Sequence, residues 1–291
     1  MADEPVRVLG VVGAGQMGRG IAQVSLMADL EVLLLDRESA IVESARRGID
    51  GSLQSRVDRG KLSQADKSAA MRQLRATTDL RDLAACDFVV EAVQEELDLK
   101  LRIFADLDGI CRPDVILASN TSSLSITRIG AATHRPERVI GMHFMNPVPA
   151  MALVELVAGQ RTSGETLERT RALAVRLGKA PVRSQDLPGF ISNRVLMPMI
   201  NEAIFALHEG VGSREDIDAV MTLGMRHPMG PLALADFIGL DTCLAILEVL
   251  QGGLGDPKYR PCPLLRRMVE AGWLGRKSGR GFYEYDAGKR R

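Results

Sequence analysis

Two sets of residues in this chain have the types and spacing to do chemistry. The first is Gly13-Ala14-Gly15-Gln16-Met17-Gly18, a GxGxxG pattern set between an apolar run and a helix-forming one. Gly13 permits a tight turn, and Gly15 lets the backbone approach a pyrophosphate held at a helix N-terminus, where unpaired N–H groups and the helix dipole favour negative charge. Gly18 allows the helix to pack closely on the strand. The whole turn, Gln16 and Met17 included, is a candidate cofactor site. Asp36 follows Gly18 by 18 residues, at the end of a second apolar run, where a carboxylate accepts hydrogen bonds from ribose hydroxyls and repels a 2′-phosphate. That favours NAD, although Arg37 would offset part of the repulsion and leaves NADP open. The plain alternative is a glycine-rich turn that merely joins strand to helix; strand, helix and acid occurring together argue against it.

The second set is His143 and Glu155. His143 sits in the apolar run Val139–Phe144, at the end of an expected strand, Pro147 and Pro149 follow, and Glu155 is the lone carboxylate of Leu153–Val157. If the two runs are strands folded back about Pro149, residues whose numbers sum to 298 lie opposite, and His143 faces Glu155 across an antiparallel pair. A carboxylate in that place fixes the tautomer of an imidazole and steadies the imidazolium formed when it takes a proton. The bland reading, a core histidine satisfied by a buried acid, stays open at this point. His134 and His208 read as exposed, and His227, before Pro228, as structural.

The elements that must position these groups alternate strand and helix. Strands are expected at Val6–Val12, Glu31–Leu35, Phe88–Glu91, Val115–Ser119, Val139–Phe144, Leu153–Val157 and Ala180–Arg183. Helices are expected at Met17–Ala28, Ser39–Arg59 and Gln64–Gln73. This is the grammar of an α/β fold with a Rossmann-like, mostly parallel sheet. After Asp186–Gly189 the β-branched runs stop, and helices are expected at Phe190–His208, Arg214–Leu223, Leu232–Leu250 and Pro263–Glu270. The expected division is a nucleotide-binding domain over 1–185 and an all-helical domain over 186–291.

Composition narrows the function. With 291 residues and 46% hydrophobic content the chain can bury two cores, and 37 basic residues against 37 acidic ones remove any overall electrostatic case for nucleic acid or an anionic membrane. Met1–Pro5 lacks the basic and apolar regions of a signal peptide, and no run is apolar for the roughly 18 residues of a membrane span. A cytoplasmic protein is expected. Cys86, Cys111, Cys243 and Cys262 form no CxxC pair and no cluster with histidine, so they read as reduced core thiols, with neither disulfides nor a metal site.

GAGQMGRGIAQV at Gly13–Val24, EAVQE at Glu91–Glu95, SNTSSL at Ser119–Leu124 and GMHFMNPVPAMALVE at Gly141–Glu155 together resemble the short-chain 3-hydroxyacyl-CoA dehydrogenases, in particular the bacterial 3-hydroxybutyryl-CoA enzymes. The resemblance continues through GFISNRVLMPMINEA at Gly189–Ala203, HPMGPLALADFIGLD at His227–Asp241 and GRKSGRGFYEY at Gly275–Tyr285. It implies NAD-dependent, reversible oxidation of a (3S)-3-hydroxyacyl-CoA. His143 is then the proton acceptor and Glu155 its partner, with Ser122 and Asn193 near the substrate oxygen. It places Glu95, Lys100, Asn146 and Lys277 on the nicotinamide nucleotide, and Ser52 with Arg59 on the CoA moiety, a role for which Lys61 competes. On bare sequence Lys100 and Lys277 would be solvated charges, and Ser122 and Asn193 caps or turn formers. The resemblance also implies a homodimer or higher homo-oligomer built largely through the helical domain, which closes over the acyl-CoA. Asp29-Leu30, where relatives have a glycine, and Arg37 depart from the pattern. Other readings are the same chemistry on a carrier-protein thioester or polyketide intermediate, a free 3-hydroxy acid dehydrogenase, or a dinucleotide-binding protein without catalysis.

Overall fold

The computed structural model describes residues 6–285, so the Met1–Pro5 start lies outside the described residues. The chain separates into two compact units, one ending at Leu187 and the other beginning at Pro188.

The first unit is built on an eight-stranded sheet: β1 (Val8–Val12), β2 (Glu31–Leu35), β3 (Leu74–Thr77), β4 (Phe88–Glu91), β5 (Ile116–Ser119), β6 (Val139–Phe144), β7 (Leu153–Ala158) and β8 (Ala180–Gln185). Its order is β3-β2-β1-β4-β5-β6-β7-β8, and every neighbouring pair is parallel except β6 with β7. The helices are α1 (Gln16–Leu26), α2 (Ser39–Asp58), α3 (Gln64–Arg72), α4 (Leu97–Ile110), α5 (Ile126–Gly130) and α6 (Gly164–Arg176). Because β4 and β5 are covered on both faces, every residue in them is buried, and each reads as an apolar run ending in one polar residue, Glu91 or Ser119. One core packs Leu9, Val11 and Leu34 of the sheet against Ile21 and Leu26 of α1 and Ile49 of α2. Strand order reverses at β1, so the chain leaves β1 and β4 in opposite directions and opens a crevice at their carboxyl ends, the place where sheets of this kind collect ligands.

β3 was not expected. Leu74-Arg75-Ala76-Thr77 buries only its leucine, and as an edge strand it needs no apolar alternation to earn its place beside β2.

The second unit holds α7 (Ser192–His208), α8 (Arg214–Ala219), α9 (Pro231–Ile238), α10 (Leu240–Leu254) and α11 (Pro263–Glu270). Met197, Ile200 and Ile204 of α7 pack with Leu232 of α9 and Leu247 and Leu250 of α10. The single helix expected over Leu232–Leu250 is two: Gly239, at φ +105°, takes a backbone conformation closed to other residues and turns the chain between α9 and α10.

Among the described residues no helix is long and apolar enough to cross a membrane. The cysteines are free and buried, and burial pushes Cys86 and Cys243 up to about 12 and Cys111 to about 11, where the reactive thiolate is scarce.

Candidate active site

The phosphate turn leaves β1 at the reversal point. Gly13, at φ +101°, donates its N–H to the Leu35 carbonyl (2.8 Å), and a Cβ on it would stand 2.7 Å from the Ala92 carbonyl oxygen. A Cβ on Gly18 would stand 1.7 Å from the Gly13 carbonyl oxygen, so α1 lies directly on the turn. Gly15 is different: it is exposed, and a Cβ there would meet nothing within 4 Å. The turn is therefore closed on its protein side and open on its solvent side, with a cavity of about 540 Å³ beside it, lined by Ala14, Gly15, Gln16, Arg19, Ile41 and Ser44.

Asp36 sits at the end of β2 and reads the turn directly, accepting hydrogen bonds from the N–H groups of Ala14 (2.7 Å) and Arg37 (2.8 Å). The Arg37 guanidinium does not turn back to it; it lies 3.1 Å from Glu38. Glycines that admit a pyrophosphate and an acid left to the ribose side suit a dinucleotide without a 2′-phosphate.

His143 and Glu155 meet at the same end of the sheet, at the carboxyl end of β6. The antiparallel register pairs them directly, and His143 Nδ1 lies 2.8 Å from Glu155 Oε2. Both side chains are buried, the imidazole 8% and the carboxylate 2% exposed, so the pair is held in a setting of low dielectric where their attraction is little screened. Between them runs the Met145–Ala152 loop, whose Asn146 accepts a hydrogen bond from Gln16 Nε2 (3.0 Å) and so joins the hairpin to the phosphate turn.

A buried polar network shapes the neighbouring strand ends. Glu91, fully buried at the end of β4, accepts hydrogen bonds from Lys100 Nζ (2.6 Å), Ser119 Oγ (2.6 Å) and the Val93 N–H (2.7 Å). Glu95 accepts from Thr121 Oγ1 (2.6 Å) and from the N–H groups of Ser122 (2.8 Å) and Ser123 (3.1 Å), which anchors the loop that carries Ser122. Lys100 bridges the two acids, its ammonium 3.4 Å from Glu95. The solvated charge that Lys100 suggests on bare sequence is thus corrected: it is 1% exposed, and its ion pair with Glu91 makes that burial tolerable. Glu91 and Asn120, whose side chain accepts the Phe144 N–H (2.9 Å), organise the site without having been singled out. The signal for Glu91 was present as a charge ending the apolar Phe88-Val89-Val90 run.

The remaining candidates lie on other elements. Ser52 is half-buried on α2, while Arg59 and Lys61 are exposed at and beyond its end. In the second unit Asn193 is buried in the first turn of α7, and Lys277 pairs with Asp241 (2.5 Å).

Comparison with known proteins agrees with this architecture. Residues 8–187 match the 3-hydroxyacyl-CoA dehydrogenase NAD binding domain, and residues 189–285 match the C-terminal domain of the same family. The chain is 53% identical to a Bacillus subtilis protein described as "Probable 3-hydroxybutyryl-CoA dehydrogenase", over 97% of this chain and 98% of that one. It is 52% identical to the 3-hydroxybutyryl-CoA dehydrogenase of Bradyrhizobium diazoefficiens, over 98% and 97% respectively. Among solved structures, the (S)-3-hydroxybutyryl-CoA dehydrogenase of Ralstonia eutropha superposes with a TM-score of 0.95 at 51% identity, covering 97% of this chain and 99% of the other. With both halves of its length matched and nearly full-length relatives above half identity, the chain belongs to the 3-hydroxyacyl-CoA dehydrogenase family.

Proposed function

We propose that the protein catalyses the reversible, NAD-dependent oxidation of a (3S)-3-hydroxyacyl-CoA, with 3-hydroxybutyryl-CoA as substrate, to the 3-ketoacyl-CoA. One observation carries the reading: the buried His143–Glu155 pair stands at the carboxyl end of the parallel strands, the same end of the sheet at which the phosphate turn opens. With Nδ1 engaged by Glu155, Nε2 is the atom that takes the proton of the substrate hydroxyl, and the carboxylate steadies the imidazolium that results. In the ketone direction the same nitrogen returns the proton. Bound NAD supplies the hydride acceptor at the alcohol carbon. Ser122, held through its backbone by Glu95, and Asn193 are assigned to orienting the substrate oxygen. Asn146, Glu95 and, through Glu95, Lys100 are assigned to the nicotinamide side, Lys277 likewise to the cofactor, and Ser52 with Arg59 or Lys61 to the CoA moiety. The nucleotide-binding domain is assigned to the first unit and the substrate and assembly role to the helical one.

The test is nicotinamide absorbance with purified protein. Acetoacetyl-CoA is expected to oxidise NADH at tens of turnovers per second or more, with NADPH slower by about an order of magnitude or more, since Arg37 is engaged by Glu38 and leaves Asp36 to repel a 2′-phosphate. Comparable rates with the acetoacetyl thioester of an acyl carrier protein would displace CoA as the natural carrier, and no turnover with either would sink the reading.

The same reading includes a homodimer formed through the helical unit. Its support is a set of exposed apolar side chains there, Val195 at 67%, Leu223 at 84% and Met225 at 62%, which a partner copy would cover. Sedimentation is expected to give about twice the 31.6 kDa chain mass; a monomer at micromolar concentration would refute it. Cytoplasmic residence belongs to the same proposal and rests on the unpaired cysteines, which suit a reducing compartment.

A further inference from the structure

The Met145–Ala152 loop ties His143 to Glu155 and presents Asn146, and most of it is exposed. Two buried anchors lie beneath it. Val148 packs on α1 at Gly20, where a Cβ would stand 2.8 Å from the Val148 Cβ. Lys179, between α6 and β8, is 8% exposed and drives its ammonium into the loop from below, donating to the carbonyls of Val148 (2.5 Å) and Met151 (2.8 Å). The next residue, Ala180, donates its N–H to Ala152 (2.8 Å), so the ammonium and the first hydrogen bond of β8 grip the same turn.

Among the described residues no carboxylate pairs with this ammonium to offset its desolvation, and burial pulls Lys179 below the ordinary lysine range. Methionine would fill the volume without that penalty, so the charge calls for a reason other than packing. The loop supplies one. Its carbonyls at 148 and 151 point inward, and a cation that binds both fixes the intervening turn; the opposite end of the loop then delivers Asn146 to Gln16 of the phosphate turn.

We infer that Lys179 is a positioning residue: its ammonium holds the Asn146–Met151 turn in register with the phosphate turn and with the His143–Glu155 pair. The inference rests on the dehydrogenase reading for its kinetic consequence but not for its binding consequence. Lys179→Met is expected to stay folded, to bind NADH about tenfold more weakly by nicotinamide fluorescence, and to lose roughly ten- to a hundredfold in kcat, with KM for acetoacetyl-CoA within about twofold of wild type. Lys179→Ala, which leaves room for a small amine, is expected to recover about fivefold in kcat with propylammonium and not with tetramethylammonium, which has no N–H to donate. Wild-type NADH affinity and kcat in the Met variant would overturn the inference. So would a Met variant that does not fold, which would make the lysine a brace for the whole unit, or an equal response to the two ammonium salts. An inactive wild-type protein would count against the dehydrogenase reading, while the NADH affinity of the Met variant would still decide the role of Lys179.

Discussion

His143→Ala is expected to lower kcat with acetoacetyl-CoA by roughly 10²–10⁴-fold while leaving the dissociation constant for NADH within a few-fold of wild type. The range follows from the loss of one proton-transfer group whose surroundings remain intact: the strand pairing of β6 is made by backbone, and the GxGxxG turn assigned to the dinucleotide belongs to β1 and α1. Glu155→Gln separates orientation from charge. Glutamine keeps the shape and can still accept a hydrogen bond from Nδ1, but it no longer steadies an imidazolium in a site only 2% exposed. A fall in the same direction is expected. Near-wild-type turnover in either variant would remove that residue from the mechanism and return the pair to the bland reading of a satisfied core histidine.

Gly18→Ala is expected to abolish measurable NADH binding and to destabilise the first unit by about 1–3 kcal/mol, because one methyl group cannot enter without opening the turn. The added Cβ would lie 1.7 Å from the Gly13 carbonyl oxygen, about half of any tolerable contact, and both partners are backbone, so no side chain can swing aside. Gly15→Ala is the matched control. Its Cβ would meet no protein atom within 4 Å, so the melting temperature should hold while NADH affinity falls at least about tenfold, the methyl group occupying space intended for the pyrophosphate. Calorimetry and fluorescence titration of the two variants distinguish a turn that only connects strand to helix from one shaped around a ligand. If Gly15→Ala binds NADH as tightly as wild type, the phosphate site is elsewhere.

Much of this site was legible because its logic is local. A GxGxxG turn, the strand before it, the helix after it and the acid ending the next strand occupy one short stretch, and each obeys a rule of backbone geometry that needs no distant partner. The His143–Glu155 register was legible for a similar reason, since a two-residue period in strands on either side of Pro149 fixes which residues oppose. Where local rules gave mixed signals, reading failed: β3 carries polar residues because an edge strand tolerates them, and the apolar period across Leu232–Leu250 hides the break that Gly239 imposes.

The order of residues alone thus determined the glycine turn between β1 and α1, the mostly parallel sheet and the pairing of imidazole with carboxylate, because these follow from spacing along the chain. Which charges lie inside was decided only by the tertiary structure. Lys100 becomes an interior cation because β4 and the Glu95 segment bring two carboxylates to it, and Lys179 because a loop far earlier in the chain turns two carbonyls toward it. The desolvation of a charge is tolerated only when its partners arrive, and those partners come from elements whose contact is set by the packing of the whole unit.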